Sequence, residues 1–496
     1  MEQILEKDVE THLGQSAIDQ VGKIEQNDLE PIALKHRHGS PKDLYGMWIG
    51  SNTNYVVMLN GVLMITLGLS FKQAIWAILI GNILGCAVLG LASIMGPRTG
   101  TAGIATSRTS FGQLGALLPT FISTLSVLGW FSINSVVATM GLQELLKLAG
   151  APDTHLLMWI CLAIVLAGEI TLAIYGHATI IKAEQWLAII LAIMFVGLFF
   201  FMVPNMDWKF ASTIVEKDGV TSWGTWLLAM GIIFSYPISW TNFASDYSRY
   251  FRPDVSWKKV ALYAGGGQFT ALMLTEFVGI ALGVVMMSTL GAMPSDPVSM
   301  LPKLLPSWFF AIFMVAVIFG CVATNVPNGY TAGLSLLALR IPLTRVQGVL
   351  VIGVFTLVFR IITLLYGQFF GLYQQWLTYI LIWTCPWITI VVADYFMRKG
   401  NYNTVDLMKW GQGDYWYNGG VFWPALISFV VGMGASLLFT NSALYASPLM
   451  INSFGGADLS YFVGILITLI IYYLWTKNHP TYSKARAMGK SIFPED

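Results

Sequence analysis

Trp186 to Val203 is eighteen consecutive residues without a charge, and apolar runs of this kind recur along the whole chain. A helix rising 1.5 Å per residue needs about 17–25 such residues to cross a hydrocarbon layer roughly 30 Å thick. Only 11% of the 496 residues are charged and 56% are hydrophobic, against roughly 25% charged in soluble domains. The chain therefore reads as an all-α integral membrane protein. Its 48 glycines suit helices that pack backbone to backbone where lipid gives no hydrophobic drive between them. Twelve spans are expected, at about 44–69, 72–96, 113–148, 156–175, 184–203, 223–245, 259–290, 308–338, 346–366, 369–393, 420–441 and 460–476.

The cationic residues orient these spans. With the N-terminus inside the cell, the tails and alternate loops on that side hold 21 Lys and Arg, and the outer side holds five (Lys72, Lys147, Lys209, Lys217, Lys303). That asymmetry predicts both termini in the cytoplasm. The expected divisions are an N-terminal tail (1–43), a first five-helix unit (44–203), an outer loop (204–222) and a second unit (223–393). A cytoplasmic loop (394–419), two further helices (420–476) and a C-terminal tail (477–496) complete the chain. Both tails read as flexible segments. The N-terminus lacks the apolar core of a cleaved signal. Cys86, Cys161, Cys321 and Cys385 fall in apolar segments without a CxxC pair, as packing thiols do. A net charge of +1 gives no sign of a nucleic-acid partner. No obligatory protein partner or cofactor is implied.

Two spans carry polar interruptions. The first contains "WIGSNTNYVVMLNG", with Asn52, Thr53 and Asn54 in succession. The sixth ends in "SYPISWTNFASDYSRY", which includes Pro237. They lie about 180 residues apart, each followed by four more spans. Interrupted helices at matching places of two halves are the sequence mark of an inverted-repeat transporter, the second half entering from the opposite face because five is odd. Irregular backbone at membrane depth survives only when buried in protein or lining a cavity. Pro237 also frees a carbonyl one turn earlier. Two readings stand for each break: a kink with Ser and Thr bonded back to the helix, or a binding site.

In the third span, "LGWFSINSVVA" sets Trp130 and Asn134 four residues apart, hence on one helical face. An indole beside a carboxamide suits a flat heteroaromatic guest, and it equally suits helix packing. In the eighth span, "GCVATNVPNGYTAG" gathers Thr324, Asn325, Pro327, Asn328 and Tyr330. This cluster is either a structural polar network or part of a ligand or ion site. Glu144, Glu169, Glu276 and Arg360 are the ionisable residues within spans. Glu144 and Arg360 fall where they could reach the interface, which leaves Glu169 and Glu276 as candidates for proton handling. Asp246 and Asp394 begin cytoplasmic loops and are expected to anchor or gate those ends.

Several chemistries find no support. "AMGKS" lacks the glycine and the preceding strand of a phosphate-binding loop. The six histidines are scattered without an HExxH zinc motif, and no GxSxG elbow is present. An enzyme would need such a set. A channel would need a continuous polar stripe rather than aromatics at the breaks.

"GPRTGTAGIATSRTSFG", "LGWFSINS", "ISWTNFASDYSRYF" and "ATNVPNGYTAGLSLLAL" occur in the order and spacing that resembles the nucleobase–cation symporter-1 family, in its purine–cytosine permease-like branch. The resemblance runs from about Trp48 to Asp394. It implies twelve transmembrane helices, with a LeuT-type core of two inverted five-helix repeats plus two extra helices, in the cell membrane. It implies import of a small planar heterocycle with H+ or Na+, by rocking helices 1, 2, 6 and 7 against the rest. Purine- or cytosine-type nucleobases come first, with allantoin, hydantoins or a vitamin such as thiamine as the alternative. By the same resemblance Trp130 stacks on the ligand, Asn134 and Asn328 read its edge, and Ser51 and Asn52 form the polar break. Tyr236 or Trp240 supplies the second stacking face. Thr324 matches one hydroxyl of a sodium site, but Ala323 stands where its serine partner is expected, so both coupling ions stay open.

Overall fold

The computed structural model describes residues 29–173, 177–291, 298–341, 345–366 and 369–493; residues 1–28 and 494–496 of the expected tails lie outside them. The chain begins with α1 (Pro41–Asn52), α2 (Tyr55–Thr66), α3 (Phe71–Ser93), α4 (Met95–Thr99), α5 (Gly103–Phe111) and α6 (Leu117–Leu148). Then come α7 (His155–Ala173), α8 (His177–Met202), α9 (Ser222–Ile238), α10 (Ala244–Ser248), α11 (Trp257–Leu290) and α12 (Leu301–Leu304). The chain continues with α13 (Ser307–Ala338), α14 (Arg345–Tyr366), α15 (Phe369–Arg398) and α16 (Thr404–Met408). It finishes with α17 (Trp423–Leu438), α18 (Pro448–Ser453), α19 (Ser460–Thr476) and α20 (Pro480–Met488).

Six helices among the described residues are long and apolar enough to cross a membrane unaided: Phe71–Thr99, Leu117–Leu148, Trp186–Asn205, Trp257–Leu290, Ser307–Asn325 and Phe369–Arg398. The remaining expected spans correspond to shorter or interrupted helices. The first is split between α1 and α2, and the sixth stops at Ile238 instead of running to residue 245. Broken helices carry polar backbone ends and need protein around them. Accordingly α11 packs along α1, α2 and α3, while α9 lies on α3 and α13 runs along α6.

The first break explains its own composition. Asn54 caps α2 by accepting from Val57 N–H (3.0 Å), and its amide donates back to the Ser51 carbonyl at the end of α1 (3.1 Å). Asn52 donates to the Trp48 carbonyl (2.8 Å) and Thr53 to that of Ile49 (2.8 Å). Asn54 thus serves groups at both helix ends that water would otherwise serve, while Asn52 and Thr53 bond back onto α1. The second break follows the same logic: Ser235, Ser239 and Thr241 donate to carbonyls three residues earlier, at 2.7, 2.7 and 2.6 Å.

Close approach of α2 to α11 depends on two glycines. A Cβ on Gly61 would sit 2.0 Å from the Glu276 carbonyl oxygen, and one on Gly279 would sit 1.9 Å from that of Met58. Gly61→Ala is expected to force the helices apart at a cost of about 1–3 kcal/mol, read as a lower thermal midpoint of the purified protein. Gly266→Ala on the same α11 is the control. Its Cβ would meet nothing nearer than 3.8 Å, so the better helix former should hold or raise the midpoint.

Three expectations need correction. The stretch between the second and third spans is not a plain loop: the second span runs on through α4 to Thr99, and α5 follows with all nine of its residues buried. The tenth span does not end at residue 393, because α15 continues to Arg398, whose guanidinium pairs with Asp394 one turn back (2.9 Å). The described parts of the tails are packed rather than free. Arg37 donates to the Ile32 and Pro97 carbonyls and lies 4.5 Å from the Phe493 ring, so the two terminal segments meet. Tyr482 and Ala485 of α20 are buried. Asp246, in α10, accepts from the Gly103 N–H at the start of α5 (2.7 Å), which ties that end of the second break down. Glu144 pairs with Lys147 (2.6 Å), which also reaches Asp153 (3.0 Å). All four cysteines are buried free thiols.

Candidate functional site

Trp130 on α6, Tyr236 on α9 and Tyr373 on α15 converge beside the broken helices. The Trp130 ring meets Tyr236 at 5.2 Å and Tyr373 at 6.3 Å between centroids, both nearly perpendicular. Asn134 projects from the same face of α6 as Trp130 and donates its amide to the Trp130 carbonyl (2.9 Å). The Trp130 indole N–H and the Asn134 side-chain oxygen are buried without a hydrogen-bond partner among the described residues. Other buried groups among the described residues are unmet as well, the Trp48 and Trp383 indoles included; this donor and acceptor are set apart by lying one turn from each other on the face that meets Tyr236 and Tyr373.

Tyr236, rather than Trp240, is the α9-end aromatic that faces Trp130. Trp240 instead packs edge-on against Trp48 of α1 (5.7 Å) and Phe243 (6.4 Å). Trp48 also meets Tyr247 of α10 (5.6 Å), so the two breaks face each other through aromatic edges. The Tyr236 hydroxyl lies beside the Asn54 and Trp240 side chains. Trp130 and Tyr236 touch edge to face, whereas a flat guest between them would need parallel rings about 7 Å apart, two van der Waals contacts in series. Sandwiching a ligand therefore requires one ring to swing.

Behind this aromatic group lie two buried carboxylates. Glu169 on α7 accepts from Ser135 (2.6 Å) and Asn325 (2.8 Å), and Asn328 donates to the Asn325 side-chain oxygen (3.2 Å). Asn328 thus joins the Glu169 network of α6, α7 and α13. Glu276 on α11 accepts from Asn60 (2.9 Å) and Asn82 (2.6 Å). Each carboxyl group is fully buried and hydrogen-bonded by neutral side chains, which offsets part of the cost of burying it. Thr324 donates to the Gly320 carbonyl of its own helix (2.9 Å). Ser51 and Asn52 are buried at the first break, and the Asn52 side-chain oxygen accepts from Gln268 (3.4 Å). The side chains of Pro327 and Tyr330 lie outside the described ones.

Asn60, Asn82 and Tyr373 were not picked out from the sequence. A lone amide in "ILIGNILG" is the signal that could have marked Asn82. Tyr373, at the start of a span where aromatics ordinarily sit at the interface, gave none.

Residues 31–464 match the family model for permeases for cytosine/purines, uracil, thiamine and allantoin. The chain belongs to that family. The putative purine-cytosine permease YxlA of Bacillus subtilis is 27% identical over 468 residues, covering 92% of this chain and 96% of that protein. The vitamin B6 transporter TPN1 of Saccharomyces cerevisiae is 28% identical over 338 residues, 64% of this chain and 56% of that protein. Among solved structures, the inward-facing conformation of Mhp1 superposes with a TM-score of 0.74 at 20% identity, covering 96% of this chain and all of that one. The closed form of Mhp1, a nucleobase-cation-symport-1 family transporter, with bromovinylhydantoin bound gives 0.71 at 19% identity, covering 95% and 98%. This permease is therefore a multi-pass membrane transport protein with the LeuT-type fold, and not an enzyme.

Proposed function

We propose that this permease imports a purine- or cytosine-type nucleobase, or a related small heterocycle, together with H+ or Na+, by alternating access. The observation that carries the reading is the pair of unmet groups at the aromatic wall, the Trp130 N–H and the Asn134 oxygen. A nucleobase edge presents ring acceptors and amino or imino donors side by side, so one planar guest satisfies both while its face covers the Trp130 or Tyr236 ring. Asn328, Ser51 and Asn52 line the polar side of that site, and Trp240 backs it from the second break. Thr324 belongs to the cation path, and Glu169 and Glu276 are the groups able to carry a coupling proton.

In this reading the chain makes twelve crossings of the cell membrane. Two inverted five-helix units (44–203 and 223–393) are followed by two extra helices, and both termini lie in the cytoplasm. A vitamin B6 or thiamine-type cargo is the second reading, favoured by the likeness to the vitamin B6 transporter.

Uptake into vesicles separates these readings. Saturable accumulation of labelled cytosine or adenine is expected, suppressed by unlabelled purines and little affected by vitamin B6, allantoin or thiamine. Imposing a Na+ gradient and a pH gradient in turn identifies the coupling ion. Accumulation of none of these compounds under either gradient sinks the proposal.

A further inference from the structure

We infer that Tyr373 is a third wall of the substrate site, held against Trp130 by a brace that runs through Asn60 to Glu276. This rests on the reading of Trp130 as a substrate-facing residue. The Tyr373 ring stands 6.3 Å from Trp130 and lies nearly parallel to Phe369, 5.8 Å away. Its hydroxyl donates to the Asn60 side-chain oxygen at 2.7 Å. The Asn60 amide donates in turn to one oxygen of Glu276, and Asn82 occupies the other.

The order of donors and acceptors fixes the brace. A primary amide can present its oxygen or its NH2 to a neighbour with little difference in shape. In the structure the NH2 of Asn60 faces Glu276 and its oxygen faces Tyr373, the orientation that an ionised Glu276, which accepts only, holds in place. The phenol directs its proton to the Asn60 oxygen, with the Val56 carbonyl of the same helix farther off at 3.4 Å, and both acceptors lie on α2. What Tyr373 offers Trp130 is its ring alone, at a fixed tilt. The contact between Gly61 and Gly279 is what lets Asn60 reach Glu276 at all, since a Cβ at either position would overlap the opposing backbone.

Three helices thus contribute to one ring's position. α2 supplies the amide, α11 the carboxylate and α15 the phenol. Glu276 acts here as a positioning residue, a role separate from any carriage of a proton. Its effect on substrate passes through Tyr373, which limits the shape of guest that fits beside Trp130.

The test uses the full-length permease in vesicles, with whichever of cytosine, adenine, uracil, allantoin, thiamine or vitamin B6 the wild type accumulates. Tyr373→Phe keeps the ring and leaves Asn60 on Glu276, so folding is preserved, as a monodisperse elution profile would show. It should raise the half-saturating concentration about tenfold with maximal uptake within twofold of wild type. Asn60→Ala should raise the half-saturating concentration by a similar factor. The double variant should be no worse than either alone, because both cut one chain of contacts. Trp130→Ala serves as the reference and should abolish uptake. If Trp130→Ala abolishes uptake while Tyr373→Phe stays within twofold of wild type, or if the two brace variants add, the brace is wrong and the site reading stands. If Trp130→Ala transports normally, or the wild type accumulates none of the six compounds, the site reading fails and the brace falls with it.

Discussion

Asn134→Ala is expected to lower the initial rate of uptake about a hundredfold while leaving the thermal midpoint of the purified protein within a degree or two of wild type. The two halves of this expectation come from one geometry. The Asn134 amide spends its protein hydrogen bond on the carbonyl of Trp130, four residues back in its own helix. Removing it strips no other side chain of a partner, and alanine is the better helix former. Its oxygen has no partner among the described residues, so the side chain contributes little that the fold alone would miss. A ligand that donates to that oxygen in a water-free site would lose a hydrogen bond with nothing to replace it, and discrimination built on such bonds runs to factors of hundreds or more. A structural role predicts the opposite pattern, with stability falling and uptake falling only in proportion. Ser135→Ala, one residue on, marks that contrast. Ser135 donates to Glu169 and accepts from Asn325, so its loss should lower the melting point first.

How much of this was legible in the sequence depends on whether the cause is local. The break at Asn52–Asn54 was visible because the residues that cap a helix end are the residues that end it. The placing of Trp130 and Asn134 on one face follows from helical period. Partner choice was not visible. Tyr236 and Trp240 lie one turn apart at the end of α9, and both qualified as the second aromatic. The fold turns the first toward Trp130 and the second toward Trp48, a result set by how α9 lies against α3 and α15. Glu276 was conspicuous as a charge in an apolar run. Its partners Asn60 and Asn82 come from two other helices, and only the crossing at Gly61 and Gly279 brings the first of them near. The buried helix α5 was not picked out, because nine residues are too few to read as a span. Burial of Arg108, Ser107 and Thr109 there comes from cover by α15, α16 and α17, which no local pattern records.

The largest loss of stability should come from the end of α15. Arg398 and Asp394 are almost wholly buried and lie one helical turn apart, the guanidinium Nε at 2.9 Å from both carboxylate oxygens. Arg398 also donates to the Thr109 carbonyl and the Tyr417 hydroxyl, each at 2.9 Å, while Tyr482 and Thr109 donate to Asp394 at 3.0 and 3.2 Å. Rings of Tyr402, Tyr415 and Tyr482 surround the guanidinium at 5.2–5.8 Å. One ion pair therefore joins α5, α15, the segment after α16 and the C-terminal α20. Arg398→Met leaves the Asp394 charge buried without its cation, and precedent for broken buried pairs puts the cost at about 3–5 kcal/mol. Removing both charges, in Arg398→Met with Asp394→Asn, abolishes the stranded charge and should recover more than half of that loss. The unfolding midpoint in detergent, followed by tryptophan fluorescence, reads both effects. Loosening should begin at the terminal segment, so Arg398→Met should expose the chain after Thr476 to protease before the helices around Trp130 give way. A double variant no more stable than Arg398→Met would mean that hydrogen-bond geometry, rather than charge balance, holds this end together.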